Sequence, residues 1–146
     1  MEYIKFGTTD LSVSPMGLGC LRMSEQGGEV DDVESIATLH MAFDLGINFL
    51  DTSANYGQGH NHRLIASALK GRQEKVIVHT KSGSPHTPDS SGSRSGSSPE
   101  YLTWICEESL QRLELETLDI FCMSRVDPNI PIEESIGAMA RLVKQG

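Results

Sequence analysis

The sequence predicts an α/β fold built on a parallel sheet. Three observations carry this: short apolar runs alternate with amphipathic stretches, each amphipathic stretch has its own start and stop residues, and a polar turn segment precedes the alternation. Strand–helix alternation of this kind argues for parallel strands joined by right-handed crossovers. Tyr3 to Phe6 and Leu11 to Ser14 alternate apolar and polar residues around Gly7-Thr8-Thr9-Asp10 and read as a β-hairpin. Met16-Gly17-Leu18-Gly19-Cys20 reads as a short buried strand whose glycines permit close backbone approach. Asp31 caps the first helix, with Glu34 three residues on. Ile36, Leu39, His40 and Phe43 share one face of that helix, and Gly46 stops it.

The second unit runs from a strand Ile47 to Leu50, through a loop Thr52 to Gly59, into a helix with Leu64, Ile65, Ala68 and Leu69 inward. The third runs from Val76 to Thr80 into a Ser/Gly/Pro-rich loop, residues 82–98, whose composition predicts a mobile segment. Ser98 then caps a helix with Pro99 in its first turn and Leu102, Ile105, Leu110 and Leu113 inward. The fourth runs from Leu118 to Met123 into a helix introduced by Pro131, with Glu133 and Glu134 at its positive end. Ile136, Met139, Ala140 and Val143 are expected to form its packing face.

At 146 residues, 38% of them apolar, the chain suits one domain, residues 1–146, with one core. A net charge of -8 disfavours non-specific attraction to nucleic acid or to anionic membrane, since both carry the same sign. Without an apolar leader or a span of roughly 20 apolar residues, the expected location is the cytoplasm. Cys20, Cys106 and Cys122 are few, odd in number and without a C-x-x-C pattern, so they are expected to be reduced thiols in packed positions. No metal site is expected: His60 and His62 lie two apart on a helix and so point in different directions.

Asp51, Tyr56, Lys81 and Ser124 each follow an expected strand. Loops leaving the C-terminal ends of strands in an α/β barrel converge on one face, so groups distant in sequence meet there. Taken singly, Asp51 reads as a turn residue, Tyr56 as a half-buried aromatic and Lys81 as a solvated strand end. Their joint placement after successive strands argues instead for a proton-donating set.

The stretch Leu50-Asp51-Thr52-Ser53-Ala54-Asn55-Tyr56-Gly57-Gln58-Gly59-His60-Asn61 resembles the signature of the aldo-keto reductases. Phe6-Gly7-Thr8-Thr9-Asp10-Leu11-Ser12-Val13-Ser14, Thr80-Lys81, and Arg125-Val126-Asp127-Pro128 before Pro131-Ile132-Glu133-Glu134 extend the resemblance over essentially the whole chain. It implies a (β/α)8 TIM-barrel type, here truncated to a hairpin and about four βα units, because a full barrel takes about 250 residues. It also implies NADPH-dependent reduction of an aldehyde or ketone. Tyr56 matches the proton donor, Lys81 the ammonium that stabilises the phenolate, and Asp51 the carboxylate paired with it. Ser124 stands where the family has a histidine that bonds the substrate carbonyl.

The resemblance implies that Gly19 and Asp51 line the nicotinamide side; the main cofactor contacts are expected in the half of the barrel this chain lacks. On this view, reduction by the chain alone is expected to be absent or very weak, and open sheet edges favour self-association. The alternative is a non-catalytic relative acting as an interaction or regulatory protein. His79, two residues before Lys81 and about 6.6 Å deeper along the strand, is expected to be a buried structural histidine.

Overall fold

A computed structural model describes residues 1–24, 30–72, 75–82 and 96–146. The chain opens with the expected hairpin, β1 (Ile4–Lys5) antiparallel to β2 (Ser12–Val13). Asn48 ties it to the sheet: Ser14 N donates to Asn48 Oδ1 at 2.7 Å, and Asn48 N donates to Ser14 Oγ at 3.1 Å.

Four parallel strands follow in the order β3 (Leu18–Gly19), β4 (Phe49–Asp51), β5 (Ile77–Lys81) and β6 (Ile120–Cys122). Between and after them come α1 (Asp32–Asp44), α2 (His60–Leu69), α3 (Pro99–Leu113) and α4 (Ile132–Gln145). The caps are those the sequence indicates. Asp31 Oδ1 accepts from Glu34 N at 3.0 Å, and Ser98 Oγ accepts from Tyr101 N at 3.2 Å. Each satisfies a donor that the first helical turn otherwise leaves open.

Because side chains alternate across a strand, the sheet has two chemically different faces. Leu50, Val78 and Thr80 point outward beneath the helices and are fully buried. There Leu50 and Val78 join Cys20, Leu39, Phe43, Leu64, Ile65, Ala68 and Leu113 in the main core. A second cluster of Ala54, Tyr101 and Ile105 packs with Trp104 and Phe121. The inner face carries Phe49, Asp51, His79 and Lys81, all half-buried.

Three differences from the expected pattern have physical causes. The strand expected to be buried over 16–20 is exposed at Met16, Gly17 and Gly19, and only Cys20 is fully covered. Among the described strands its Leu18–Gly19 ladder pairs with β4 alone, so it is an edge of the described sheet. Close backbone approach is required at Gly17, where a Cβ would stand 2.6 Å from Phe49 Cδ1, and not at Gly19, where nothing lies within 4 Å. The third difference is the packing face of α4. Ser135 and Ala138 are its buried residues, whereas Ile136 is 50% and Val143 81% exposed. The apolar stripe of α4 is wider than the contact that α3 offers, and that contact takes its Ser135–Ala138 side. Ala140 is likewise exposed, and Met139 half-buried.

Of the loop 82–98 expected to be mobile, residues 83–95 lie outside the described residues. At its described ends Ser82 and Ser97 are fully buried, and Ser135 Oγ donates to the Ser97 carbonyl at 2.7 Å. Among the described residues no helix is long and apolar enough to cross a membrane.

Candidate active site

The register of the sheet brings the candidate residues together. Gly19 pairs with Asp51, Asp51 with His79, and Lys81 with Cys122. Asp51 and Lys81 are the last residues of their strands, placed in the ladder by their partners although the apolar pattern ends one residue earlier. Lys81 Nζ donates to Asp51 Oδ1 at 2.5 Å, with the two side chains 22% and 41% exposed. A charge-assisted bond is stronger and shorter than a neutral one, and it offsets the desolvation of the half-buried ammonium.

Tyr56 enters from the loop after β4. Its turn is built by Tyr56 N donating to the Ser53 carbonyl and Gln58 N to the Asn55 carbonyl, at 3.1 and 3.0 Å. Gly57 sits at φ 56°, where a Cβ would come within 2.9 Å of His60 Cβ, so the turn needs glycine there. The loop is anchored from below by a buried network. Thr52 Oγ1 donates to Asn61 Oδ1 at 2.6 Å, while Asn61 Nδ2 donates to the Cys20 carbonyl and to Ser24 Oγ, both at 2.8 Å. Tyr56 thereby meets Lys81 through its ring, with Nζ 5.4 Å from the ring centroid, within cation–π range.

Ser124 is exposed just beyond β6. Its hydroxyl donates to the Ser82 carbonyl, and its N–H donates to Ser82 Oγ at 3.4 Å. His60 and His62 do diverge, as their spacing requires. His60 reaches Ser24 and Asp32, and His62 reaches Thr80.

Sequence reasoning put His79 on this face but misread its setting, and it did not place Cys122 there. His79 is not a buried structural residue: its side chain is 20% exposed, its Nδ1 lies 2.7 Å from Asp51 Oδ1, and its ring stacks on Phe49. Its Nε2 lies 3.0 Å from Cys122 Sγ. The signal available was parity, since His79 shares the face of Lys81; the register that puts Cys122 opposite was not legible. All three cysteines are free, with Cys20 fully buried. Burial, reinforced by Asp51 and opposed by Lys81, pushes the Cys20 thiol up to about 12, so it stays protonated.

A family model described as the aldo/keto reductase family matches residues 15–146. A probable aldo-keto reductase of Glycine max is 36% identical over 150 residues, which cover 100% of this chain and 42% of that protein. The holo form of an aldo-keto reductase from Bacillus halodurans superposes with a TM-score of 0.84 at 31% identity, over 100% of this chain and 47% of the other. A glycerol dehydrogenase from Gluconobacter oxydans superposes with a TM-score of 0.85 at 30% identity, over 99% of this chain and 46% of the other. The chain thus spans less than half the length of these relatives. Its hairpin and four βα units form part of a (β/α)8 barrel, and the chain belongs to the aldo/keto reductase family.

Proposed function

We propose that this chain carries the proton-donating half of an NADPH-dependent carbonyl reductase acting on an aldehyde or ketone. The observation that supports it best is the Asp51–Lys81 ion pair with the Tyr56 ring against the ammonium. A phenol of pKa about 10 is a reluctant acid near neutrality. An ammonium beside it favours the phenolate left after the proton has gone to the carbonyl oxygen. Asp51 holds that ammonium in position, and the glycine turn at Gly57 brings the Tyr56 ring against it.

The residues present fit the nicotinamide end of such a cofactor: Gly19, whose missing side chain leaves open space, borders Asp51 in the ladder. When bound, the nicotinamide supplies the hydride. Gly19 and Asp51 would border it, and Tyr56 would hold the proton at its hydroxyl.

Ser124 favours a second reading, a non-catalytic relative acting through its interactions. Its hydroxyl hydrogen is engaged by the Ser82 carbonyl and so is turned from any substrate oxygen. Losing one donor to a developing oxyanion typically lowers turnover by roughly 10²–10³.

Titrating NADPH against the chain completed by a second barrel half from a relative, with cofactor fluorescence as the readout, separates the two. Under the first reading the completed barrel binds NADPH, and Tyr56→Phe abolishes its aldehyde reduction while leaving that binding intact. Absence of binding by the completed barrel, or equal reduction by its Tyr56→Phe variant, removes the reductase reading.

A further inference from the structure

Asp51 serves a second partner besides Lys81. Its Oδ1 lies 2.7 Å from His79 Nδ1, and on the other side of the imidazole Nε2 lies 3.0 Å from Cys122 Sγ. A carboxylate accepts hydrogen bonds and does not donate them, so Nδ1 carries a proton, and in the neutral imidazole Nε2 presents its lone pair to the thiol. Nucleophile, base and orienting carboxylate thus stand in line, contributed by β6, β5 and β4. Stacking on Phe49, with centroids 6.2 Å apart, holds the imidazole plane. Cys122 is half-buried on the inner face, and Lys81 is its ladder partner on the neighbouring strand.

We propose that Cys122, His79 and Asp51 form a thiol-addition site for α,β-unsaturated carbonyl compounds. In the addition, the Cys122 sulfur forms a bond to the β-carbon as the alkene π pair moves toward the carbonyl oxygen. The thiol proton passes to His79 Nε2, and the resulting imidazolium is stabilised by Asp51. Lys81 stabilises the enolate oxygen. The same proton then leaves Nε2 for the α-carbon, giving a thioether without oxidant, reductant or nicotinamide.

Burial pushes the Cys122 thiol up, Lys81 pulls it back and Asp51 adds to the rise. The thiol therefore keeps its proton near neutrality, and a base adjacent to the sulfur has a step to perform. Two titratable carbonyl chemistries would then share one face without sharing a nucleophile, and failure of the reductase reading leaves this one standing.

The test uses methyl vinyl ketone on the full 146-residue chain. Adducts at each cysteine are followed over time by peptide mass spectrometry. Cys106, half-buried on α3 beside Glu107 and likewise raised by burial, is the standard within the same molecule. Buried Cys20 reports the fold, since it labels only when the core opens.

The expected result is that Cys122 reacts at least about tenfold faster than Cys106, and that His79→Gln lowers the Cys122 rate by roughly 10²-fold with Cys106 unchanged. Imidazole in solution restores part of the rate to His79→Ala. Asp51→Asn also slows Cys122, and combined with His79→Gln slows it no further, because a positioning carboxylate acts only through the imidazole. Equal rates at Cys122 and Cys106 in the unaltered chain overturn the proposal, as does a His79→Gln variant with Cys20 still protected and an unchanged Cys122 rate. Should the variants label at Cys20, the ratio in the unaltered chain decides alone.

Discussion

His62 is fully buried on α2, with Nε2 2.8 Å from Thr80 Oγ1 and, among the described residues, no hydrogen-bond partner for Nδ1. Burial, with the nearby Arg112 and Arg63 adding to it, lowers its pKa to about 3 from an ordinary 6.5. Between those values the unfolded chain binds a proton that the folded chain refuses, so stability falls as pH drops through that window. The whole contribution is present above pH 6.5. Urea unfolding of the chain and of His62→Gln at pH 7, 6 and 5 should show a steeper decline in the unaltered chain, by up to about 1.4 kcal/mol per pH unit. Parallel curves would contradict a buried neutral imidazole. Asn61 is the other residue whose neighbours depend on it. Removing its amide takes the acceptor from the Thr52 hydroxyl and one of two donors from the Cys20 carbonyl, which keeps Met23 N. Asn61→Ala is expected to lose about 2 kcal/mol or more in the same assay.

Among the elements, α4 separates pattern from packing most clearly. Its periodicity marks Ile136, Met139, Ala140 and Val143 as one face, yet Ala138 is the residue at 1% exposure. An apolar stripe records which residues can be buried, and the neighbouring element determines which of them are. Ile136→Ser and Val143→Ser should each change stability by less than about 0.5 kcal/mol. Ala138→Leu should lose about 1–3 kcal/mol, because the side facing α3 has no room for the added carbons. Chemical denaturation of the three variants checks the contrast, and the reverse order would restore the face read from periodicity. The helix starts behave differently, because Asp31 and Ser98 cap through contacts three residues away and need no tertiary partner.

For the whole molecule, the consequential feature is that β3 and β6 each pair on one side only among the described strands. Unpaired ladder groups template further pairing, and the uncovered side of α4 adds Ile132, Ile136 and Val143 as exposed apolar surface. We expect the 146-residue chain to self-associate through these edges. Light scattering across a concentration series should show mass rising with concentration. A compact monomer that unfolds cooperatively at every concentration would remove the idea.

By itself the sequence determined the order of hairpin, strands and helices, the caps, the family, and the nearness of Asp51, Tyr56 and Lys81. These depend on local periodicity, on turn chemistry and on a signature whose residues lie close in the chain. Only the tertiary structure decided the rest. Strand register put Asp51 opposite His79 and Lys81 opposite Cys122, and it joined residues as far apart as Asp51 and Cys122 around one imidazole. It also turned the Ser124 hydroxyl onto the Ser82 carbonyl and chose which side of α4 is covered. Register and packing are set by partners distant in sequence, and a period of two or of 3.6 residues carries no information about which partner arrives.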